Sequence, residues 1–154
     1  TKAALDKYPM LKGPLVYSGH SKGAYIALMA AGAPKNTLRP ASLVLFAPAG
    51  YDQQYLAQMD PTIPLTLVWG DSDTIIKQEA VREIYSRSPA KYKQFILAVS
   101  YSQTQPRLPA DHFFPLTKAG TFGGRDGVSP HHYYGAWAWM LGAVQDAEAK
   151  NPIN

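Results

Sequence analysis

The pentapeptide Gly19-His20-Ser21-Lys22-Gly23 lies in the stretch PLVYSGHSKGAYIALMAAGAP, residues 14–34, between two apolar segments. The segment before it, GPLVYSG, is short and β-favouring, and the segment after it, AYIALMAAG, is rich in Ala, Leu and Met. This order predicts a buried strand, a tight turn and a buried helix. A Gly-x-Ser-x-Gly sequence at such a turn indicates a nucleophilic Ser21; a serine that only caps the helix is the structural alternative.

Three further apolar runs follow: ASLVLFAPAG at residues 41–50, IPLTLVWGDSD at 63–73 and YKQFILAVSYS at 92–102. Each is continuously apolar, which is typical of parallel strands that helices cover on both faces. Between the last two runs, KQEAVREIYSRS at residues 77–88 has apolar residues at near-helical spacing. The sequence therefore predicts an α/β fold with a doubly wound, mostly parallel sheet and right-handed crossovers.

A terminal helix is predicted after a long loop. Ser129 and Pro130 suit the N-cap and the first helical position. From there the spacing predicts one apolar face, made of Tyr134, Trp137, Leu141 and Val144.

An acidic partner for the serine is expected after a later strand. A serine hydroxyl is a weak nucleophile, so it needs a base, a group that orients the base, and donors for the oxyanion. In this kind of fold the acid and then the histidine follow the serine, at the carboxyl ends of strands. The run ending in Gly70-Asp71-Ser72-Asp73 offers two carboxylates. We expect Asp73 to be the acid, because Asp71 directly follows the glycine, where capping of the turn is its ordinary role.

The segment LPADHFFPL, residues 108–116, contains His112 among apolar neighbours. An isolated histidine in such a loop is often a core or capping residue, but its chain order after Ser21 and Asp73 predicts that His112 is the base.

Three other histidines are competitors for that role: His20, His131 and His132. The last two open the predicted terminal helix, where a structural or rim position is expected. His20 is adjacent to Ser21, and we expect it to face away from the site.

Composition limits the class of protein and its partners. The 154 residues suit one domain, 1–154, and 46% apolar with 17% charged residues is typical of a globular chain. The net charge of +4 arises without a basic run, and no apolar run approaches the roughly 20 residues of a membrane span, so neither nucleic acid nor a membrane is an expected partner. The low charge content slightly favours a secreted or extracytoplasmic location.

No cofactor is expected. The chain has no cysteine, which excludes disulfides and thiolate metal sites. Its histidines do not have ligand spacing with carboxylates, and the adjacent His131 and His132 cannot share a helix face, so we expect no metal either.

From about Pro14 onward, the chain resembles the carboxyl-terminal half of an α/β-hydrolase-fold serine hydrolase. SGHSKGA is similar to the nucleophile elbow, LVWGDSDTII to the acid-bearing strand end, and ADHFF to the histidine loop. The resemblance implies Ser21 as nucleophile, His112 as general base and acid, and Asp73 as the group that orients His112. It also implies that the backbone N–H of Lys22 is one oxyanion donor.

The resemblance implies a serine hydrolase that cleaves small-molecule carboxylic esters. A peptidase or amidase of the same fold, and a catalytically silent binding or assembly module, remain alternatives. The segment GYDQQYLAQMDPTIP, residues 50–64, is too short for a large cap, so the site should be relatively open on this side. Tyr51 and Phe113 are candidate substrate-lining residues, and core or surface roles for them are equally open.

A second polypeptide is the expected partner of this chain. The family usually carries further strands before the elbow strand, whereas TKAALDKYPMLK, residues 1–12, is typical of the end of a helix. The elbow strand would then be an open apolar edge, which is an aggregation hazard unless it is covered. We therefore expect a fragment that supplies the amino-terminal strands and the second oxyanion donor.

Overall fold

The four apolar runs of the sequence form the four strands of one sheet. The computed structural model describes residues 2–8, 13–103, 107–116 and 129–149. Within them the elements follow in the order α1 (Lys2–Lys7), β1 (Val16–His20), α2 (Lys22–Gly32), β2 (Ser42–Phe46), α3 (Gln53–Ala57), β3 (Leu65–Gly70), α4 (Gln78–Arg87), β4 (Lys93–Ala98), a π-helical turn (His132–Ala136) and α5 (Trp137–Ala149).

The strands lie in the order β1-β2-β3-β4, and each neighbouring pair is parallel. Phe46 at the end of β2 is in register with His20 of β1 and Val68 of β3, and Gly70 is in register with Ala98 of β4. The carboxyl ends of all four strands therefore meet at one edge of the sheet. This is the edge at which open α/β sheets bind ligands.

Apolar side chains cover both faces of the sheet, because successive residues of an apolar strand point to opposite faces. One face packs against α2, α3 and α4 through a core that includes Ala24, Leu28, Leu45, Leu56, Leu67, Val81 and Ile84. The other face packs against α5 and the segment 110–114 through a second core that includes Val44, Phe46, Val68, Ala110, Phe114 and Ala136. Helices on both faces of a parallel sheet confirm the predicted α/β class.

The terminal helix begins near the predicted position, but the predicted apolar face was wrong. Tyr134 is 84% exposed and Leu141 is 57% exposed, and Trp137 also faces outward. The side chains that pack on the sheet are instead Ala136, Trp139, Met140 and Ala143. The cause is the π-helical turn, whose wider repeat shifts the phase of every later residue relative to an α-helical spacing. Residues 117–128 of the predicted long loop lie outside the described residues.

The outer edge of β1 is open among the described residues, since β1 pairs only with β2 there. A groove of about 570 Å³ follows this edge and the neighbouring face of α2. Its lining is formed by Val16, Tyr17, Ser18, Gly23, Ile26, Ala27, Ala30, Ala33, Asn36 and Leu38. Ile26 is 58% exposed, so the groove includes apolar surface that nothing in the described chain covers.

Candidate active site

Ser21 lies in a tight turn between β1 and α2, with φ 54° and ψ −119°. A positive φ is unfavourable for a residue with a Cβ atom, at a cost of about 1–3 kcal/mol that the surroundings must offset. Backbone hydrogen bonds hold the turn: the Ser21 N–H donates to the Phe46 carbonyl at 2.9 Å, and the Ser21 carbonyl accepts from Tyr25 and Ala49 at 3.1 Å each. The Ser21 side chain does not cap α2. A strained strand-to-helix turn of this kind exposes the residue at its tip.

The two glycines of the pentapeptide differ in the space that is available for a Cβ atom. A Cβ atom on Gly19 would lie 2.5 Å from the carbonyl carbon and oxygen of Gly23, which is closer than real Cβ contacts allow. A Cβ atom on Gly23 would meet nothing within 4 Å. The close approach of strand and helix therefore requires glycine at position 19 only.

His112 and Asp73 form a buried pair at the same edge of the sheet. The Nδ1 atom of His112 lies 2.8 Å from Oδ2 of Asp73, and the two side chains are 5% and 0% exposed. The other oxygen of Asp73 accepts from the N–H groups of Ile75 and Ile76, at 2.8 Å each. An ionised carboxylate can only accept, so Nδ1 of His112 carries the proton and Nε2 of the neutral ring can take one up. This is the tautomer that a general base needs.

Asp71, the alternative acid, has other partners. It accepts from the N–H of Ser100 at 2.9 Å, from the Ser100 hydroxyl, and from the Ser72 hydroxyl at 3.1 Å. Burial works against its charged form, but these hydrogen bonds outweigh burial and lower the pKa of Asp71. The Ser100 hydroxyl in turn accepts from the N–H of Ala110 at 2.8 Å. Asp71 thus ties the end of β3 to the segment that leads to His112.

The same segment sits directly on the end of β3. A Cβ atom on Gly70 would overlap the carbonyl group of Ala110. That carbonyl accepts from the N–H of Ser72 at 3.1 Å. Glycine at this position lets the segment approach closely, and His112 follows two residues later.

The expectation that His20 faces away from the site was wrong. Its Nε2 lies 2.7 Å from the carbonyl oxygen of His112, and the two rings have centroids 4.5 Å apart, tilted by 51°. Phe113 completes the group, with its centroid 5.1 Å from that of His112 and 6.2 Å from that of His20. No sequence signal predicts this contact, because it depends on the direction of the His20 side chain at the turn, which leaves no local pattern.

The two remaining histidines lie elsewhere. His131 has its Nε2 3.2 Å from the Val99 carbonyl, and its ring packs against Tyr101 and Phe114. His132 is fully buried, and its Nδ1 accepts from the N–H of Ser129 at 2.9 Å. The structure therefore brings His112, rather than either of these, to Asp73.

Three further residues were predicted to contribute to the site. Lys22 is the first residue of α2, so its N–H is among those at a helix start that no helical carbonyl accepts. Phe113 lies against the His112 ring. The Tyr51 hydroxyl donates to Glu83 of α4 at 3.0 Å, and Tyr51 packs against the core on the face of α2 to α4.

Two kinds of feature are absent from the described ranges 2–8, 13–103, 107–116 and 129–149. Their helices are all too short or too polar to cross a membrane. They also bring together no group of three or more His, Asp or Glu side chains that could hold a metal ion.

Solved structures with a similar fold are known. A candidate lipase from Acinetobacter baumannii AYE is 16% identical, with a TM-score of 0.50 over 64% of this chain and 57% of that chain. An alpha-beta serine hydrolase homologue from Coxiella burnetii is 19% identical, with a TM-score of 0.54 over 94% of this chain and 55% of that chain. The chain thus spans a little over half the length of either structure. No protein-family model and no curated protein matches the sequence.

At such identities the likeness concerns the fold. The parallel sheet, the helices on both of its faces and the strand-to-helix turn at Ser21 agree with it. The chain has the α/β-hydrolase fold.

Proposed function

We propose that this chain carries the catalytic triad of a serine hydrolase that cleaves carboxylic esters. The observation that supports it best is the buried pair of His112 and Asp73, at the sheet edge where Ser21 sits in a strained turn. Burying an imidazole and a carboxylate has a desolvation cost, so a buried pair of this kind is expected where it serves a function. General base catalysis by His112 is such a function.

In the first half of the reaction, Oγ of Ser21 attacks the carbonyl carbon of the ester while its proton passes to Nε2 of His112. Asp73 accepts from Nδ1 and stabilises the imidazolium that forms. Collapse of the tetrahedral intermediate breaks the bond to the alkoxy oxygen, which takes the proton from His112 and leaves as an alcohol. The acyl group remains on Ser21 as an ester.

In the second half, His112 takes a proton from a water molecule that attacks the acyl carbon. The carboxylic acid leaves, and Ser21 recovers its proton from His112. The backbone N–H of Lys22 is our proposed donor to the oxyanion of both tetrahedral intermediates, and it lies at the positive end of the α2 dipole. The Lys22 side chain has no part in these steps.

Ester substrates are favoured by two considerations. The fold is similar to that of a candidate lipase, and Phe113 offers an aromatic ring beside the imidazole of His112. We propose that Phe113 lines the acyl or alcohol side of the substrate. A lining role for Tyr51 stays a prediction, and its hydroxyl is already engaged by Glu83.

The experiment compares paired substrates on the protein purified in its native assembly. We expect saturable hydrolysis of p-nitrophenyl acetate, butyrate or octanoate, at a kcat/KM at least about 100-fold above that for the p-nitroanilide with the same acyl group. Faster cleavage of the anilide would identify a peptidase or amidase. Turnover of neither substrate class would favour a binding or assembly module.

We also propose that the open edge of β1 accepts further parallel strands from a polypeptide outside residues 1–154. The edge presents unpaired backbone groups beside the apolar groove on α2, and each buried group left unpaired costs about 1–3 kcal/mol. The Coxiella burnetii structure matches 94% of this chain, whereas the match covers only 55% of that structure's own length. Native mass spectrometry should therefore find residues 1–154 in a complex with a second polypeptide segment. A soluble monomer of residues 1–154 that unfolds cooperatively would contradict this proposal.

A further inference from the structure

His20 has a position that the proposed reaction does not use. It is the last residue of β1 and is bonded directly to Ser21 along the chain. Its ring Nε2 lies 2.7 Å from the carbonyl oxygen of His112. One side chain thus connects the turn that carries the nucleophile to the loop that carries the base, independently of any contact between Ser21 and His112 themselves.

The direction of this hydrogen bond determines which ring nitrogen of His20 carries the proton. A carbonyl oxygen only accepts, so Nε2 of His20 carries the hydrogen and donates. Burial, the largest influence, lowers the pKa of His20, and the neighbouring His112 lowers it further, while the bond to the His112 carbonyl and the charge of Asp73 act in the opposite direction. A neutral His20 can lie 4.5 Å from the His112 ring without repelling the imidazolium that forms there.

The backbone of His112 needs such a support. Its imidazole is held at Nδ1 by Asp73, and the segment before it is tied to the end of β3 through Ala110, so these supports all come from the β3 side. The contact from His20 adds a support on the peptide carbonyl of His112 itself, and it comes from a different strand, β1. A support from β1 links the position of His112 directly to the strand that carries Ser21.

We propose that His20 is a positioning residue that holds His112 at the correct distance from Ser21 through the hydrogen bond to its carbonyl oxygen. The inference rests on the proposed function, since it concerns the same serine and histidine. A misplacement of about 1 Å in reacting groups can slow a reaction by about a hundredfold. Loss of this support should therefore lower kcat, whereas KM should change little because the proposed reaction assigns His20 no contact with substrate.

Two substitutions separate the hydrogen bond from the packing. His20→Phe keeps an aromatic ring against His112 and Phe113 but has no donor. His20→Gln lacks the ring but carries an amide N–H₂ at about the position of Nε2. We expect kcat for a p-nitrophenyl ester to fall by about tenfold to a hundredfold in His20→Phe and by less than about threefold in His20→Gln, with KM within about twofold in both.

His131 provides the matched control. Its Nε2 also lies against a backbone carbonyl, that of Val99, and its ring packs against Tyr101 and Phe114, whereas the His20 ring packs against His112 and Phe113. His131→Phe and His131→Gln should both keep kcat within about twofold. Equal kcat in His20→Phe and the wild type, or an equal loss in His20→Gln and His20→Phe, would overturn the proposal.

A measurement on the wild type covers the case in which His20→Phe does not fold. Nitrogen-15 NMR of the histidine side chains should show His20 with its proton on Nε2 and His112 with its proton on Nδ1 at neutral pH. A proton on Nδ1 of His20 would remove the donor and refute the inference. The proposed function fails differently: the wild type itself would then not react with a phosphonate at Ser21, whatever the behaviour of the His20 variants.

Discussion

The turn after β1 and the turn after β3 hold their functional side chains in opposite ways. In the first, Ser21 is held by its backbone at φ 54°, and its side chain does not cap the helix. In the second, Asp73 is held by its side chain, which accepts from Ile75, Ile76 and His112 at 2.8 Å each. Both turns follow parallel strands of the same sheet, and each of these strands carries, near its end, a glycine that a neighbouring backbone approaches closely.

The difference follows from the chemical roles proposed for the side chains of Ser21 and Asp73. The hydroxyl of a nucleophile must be accessible to substrate. A strained backbone can hold the residue in place, whereas structural hydrogen bonds to the side chain would occupy the hydroxyl. A carboxylate that orients a base must not move or take up a proton, so several donors fix it out of solvent. We therefore expect the first turn to be sensitive to substitutions that change the backbone preference of Ser21, and the second turn to substitutions that remove the carboxylate of Asp73.

The largest expected effect comes from removing the hydroxyl of Ser21, the proposed nucleophile. Ser21→Ala and Ser21→Gly should both lower kcat by about five to six orders of magnitude, since a triad acts as a unit. Their stabilities should differ, because glycine tolerates φ 54° and alanine does not. Urea unfolding should show Ser21→Gly to be more stable than Ser21→Ala by about 1 kcal/mol. Equal stabilities would show that the turn is not strained.

The second effect distinguishes the two carboxylates of the β3 turn. Asp73→Asn should lower kcat by about 10⁴-fold, because the amide no longer favours the Nδ1–H tautomer of His112. Asp71→Asn changes a residue that contacts Ser100 and Ser72 instead, and should cost about tenfold or less. Steady-state rates on p-nitrophenyl esters measure both. Similar losses of kcat in the two variants would show that Asp73 is not the acid that orients His112.

A smaller effect concerns the two glycines of the first turn. Gly19→Ala forces a Cβ atom to within 2.5 Å of the Gly23 carbonyl, and should destabilise the protein by about 1–3 kcal/mol. Gly23→Ala meets nothing within 4 Å and lies in a helix, so it should be neutral or stabilising by up to about 1 kcal/mol. Thermal unfolding of the two variants checks this order. The reverse order would mean that strand and helix do not approach as described.

The smallest expected effect is the change in the free energy of unfolding with pH that arises from His20 in the first turn and Asp71 in the second. Burial lowers the pKa of His20, whose charged and titratable neighbours are His112 and Asp73. The unfolded chain therefore binds a proton at His20 first, and stability is lost as the pH falls below about 6.5. The pKa of Asp71 is also lowered in the folded protein, so its ionised carboxylate contributes to the free energy of unfolding above about pH 3.9. That contribution is lost as the pH falls below about 3.9 and through the lowered pKa of the folded state.

Urea unfolding of the wild type and of His20→Gln between about pH 2 and 8 measures the two contributions. The curve of His20→Gln should be flatter below about pH 6.5, with the acid loss at lower pH retained. An unchanged slope between about pH 5 and 6.5 would show that His20 does not titrate differently in the folded protein.

The sheet and the chain order of the candidate site were predictable from sequence. Continuous apolar runs identify parallel strands covered on both faces, and the four runs became β1 to β4. Parallel strands then bring their carboxyl ends to one edge, which is why Asp73 and His112 could be expected together although 39 residues separate them. Asp71 was separated from Asp73 by turn chemistry alone, and the contacts with Ser100 agree with that reasoning.

Two features were beyond the sequence for physical reasons. The direction of the His20 ring depends on the twist of the strained turn and on a loop 92 residues away, and neither leaves a local pattern. The face of α5 depends on one π-helical turn, which moves Trp139 and Met140 onto the sheet in place of Trp137 and Leu141. A spacing argument assumes a constant helical repeat, and this one is interrupted.

Ser21 is the proposed nucleophile, and every other role in the site depends on it. The most direct measurement treats the protein in its native assembly with a fluorophosphonate and maps the modified peptide by mass spectrometry. We expect one phosphonyl group per chain, on Ser21, with no labelling of Ser21→Ala and much slower labelling of Asp73→Asn. Stoichiometric labelling at another serine, or none on a folded wild-type protein that hydrolyses esters, would contradict it.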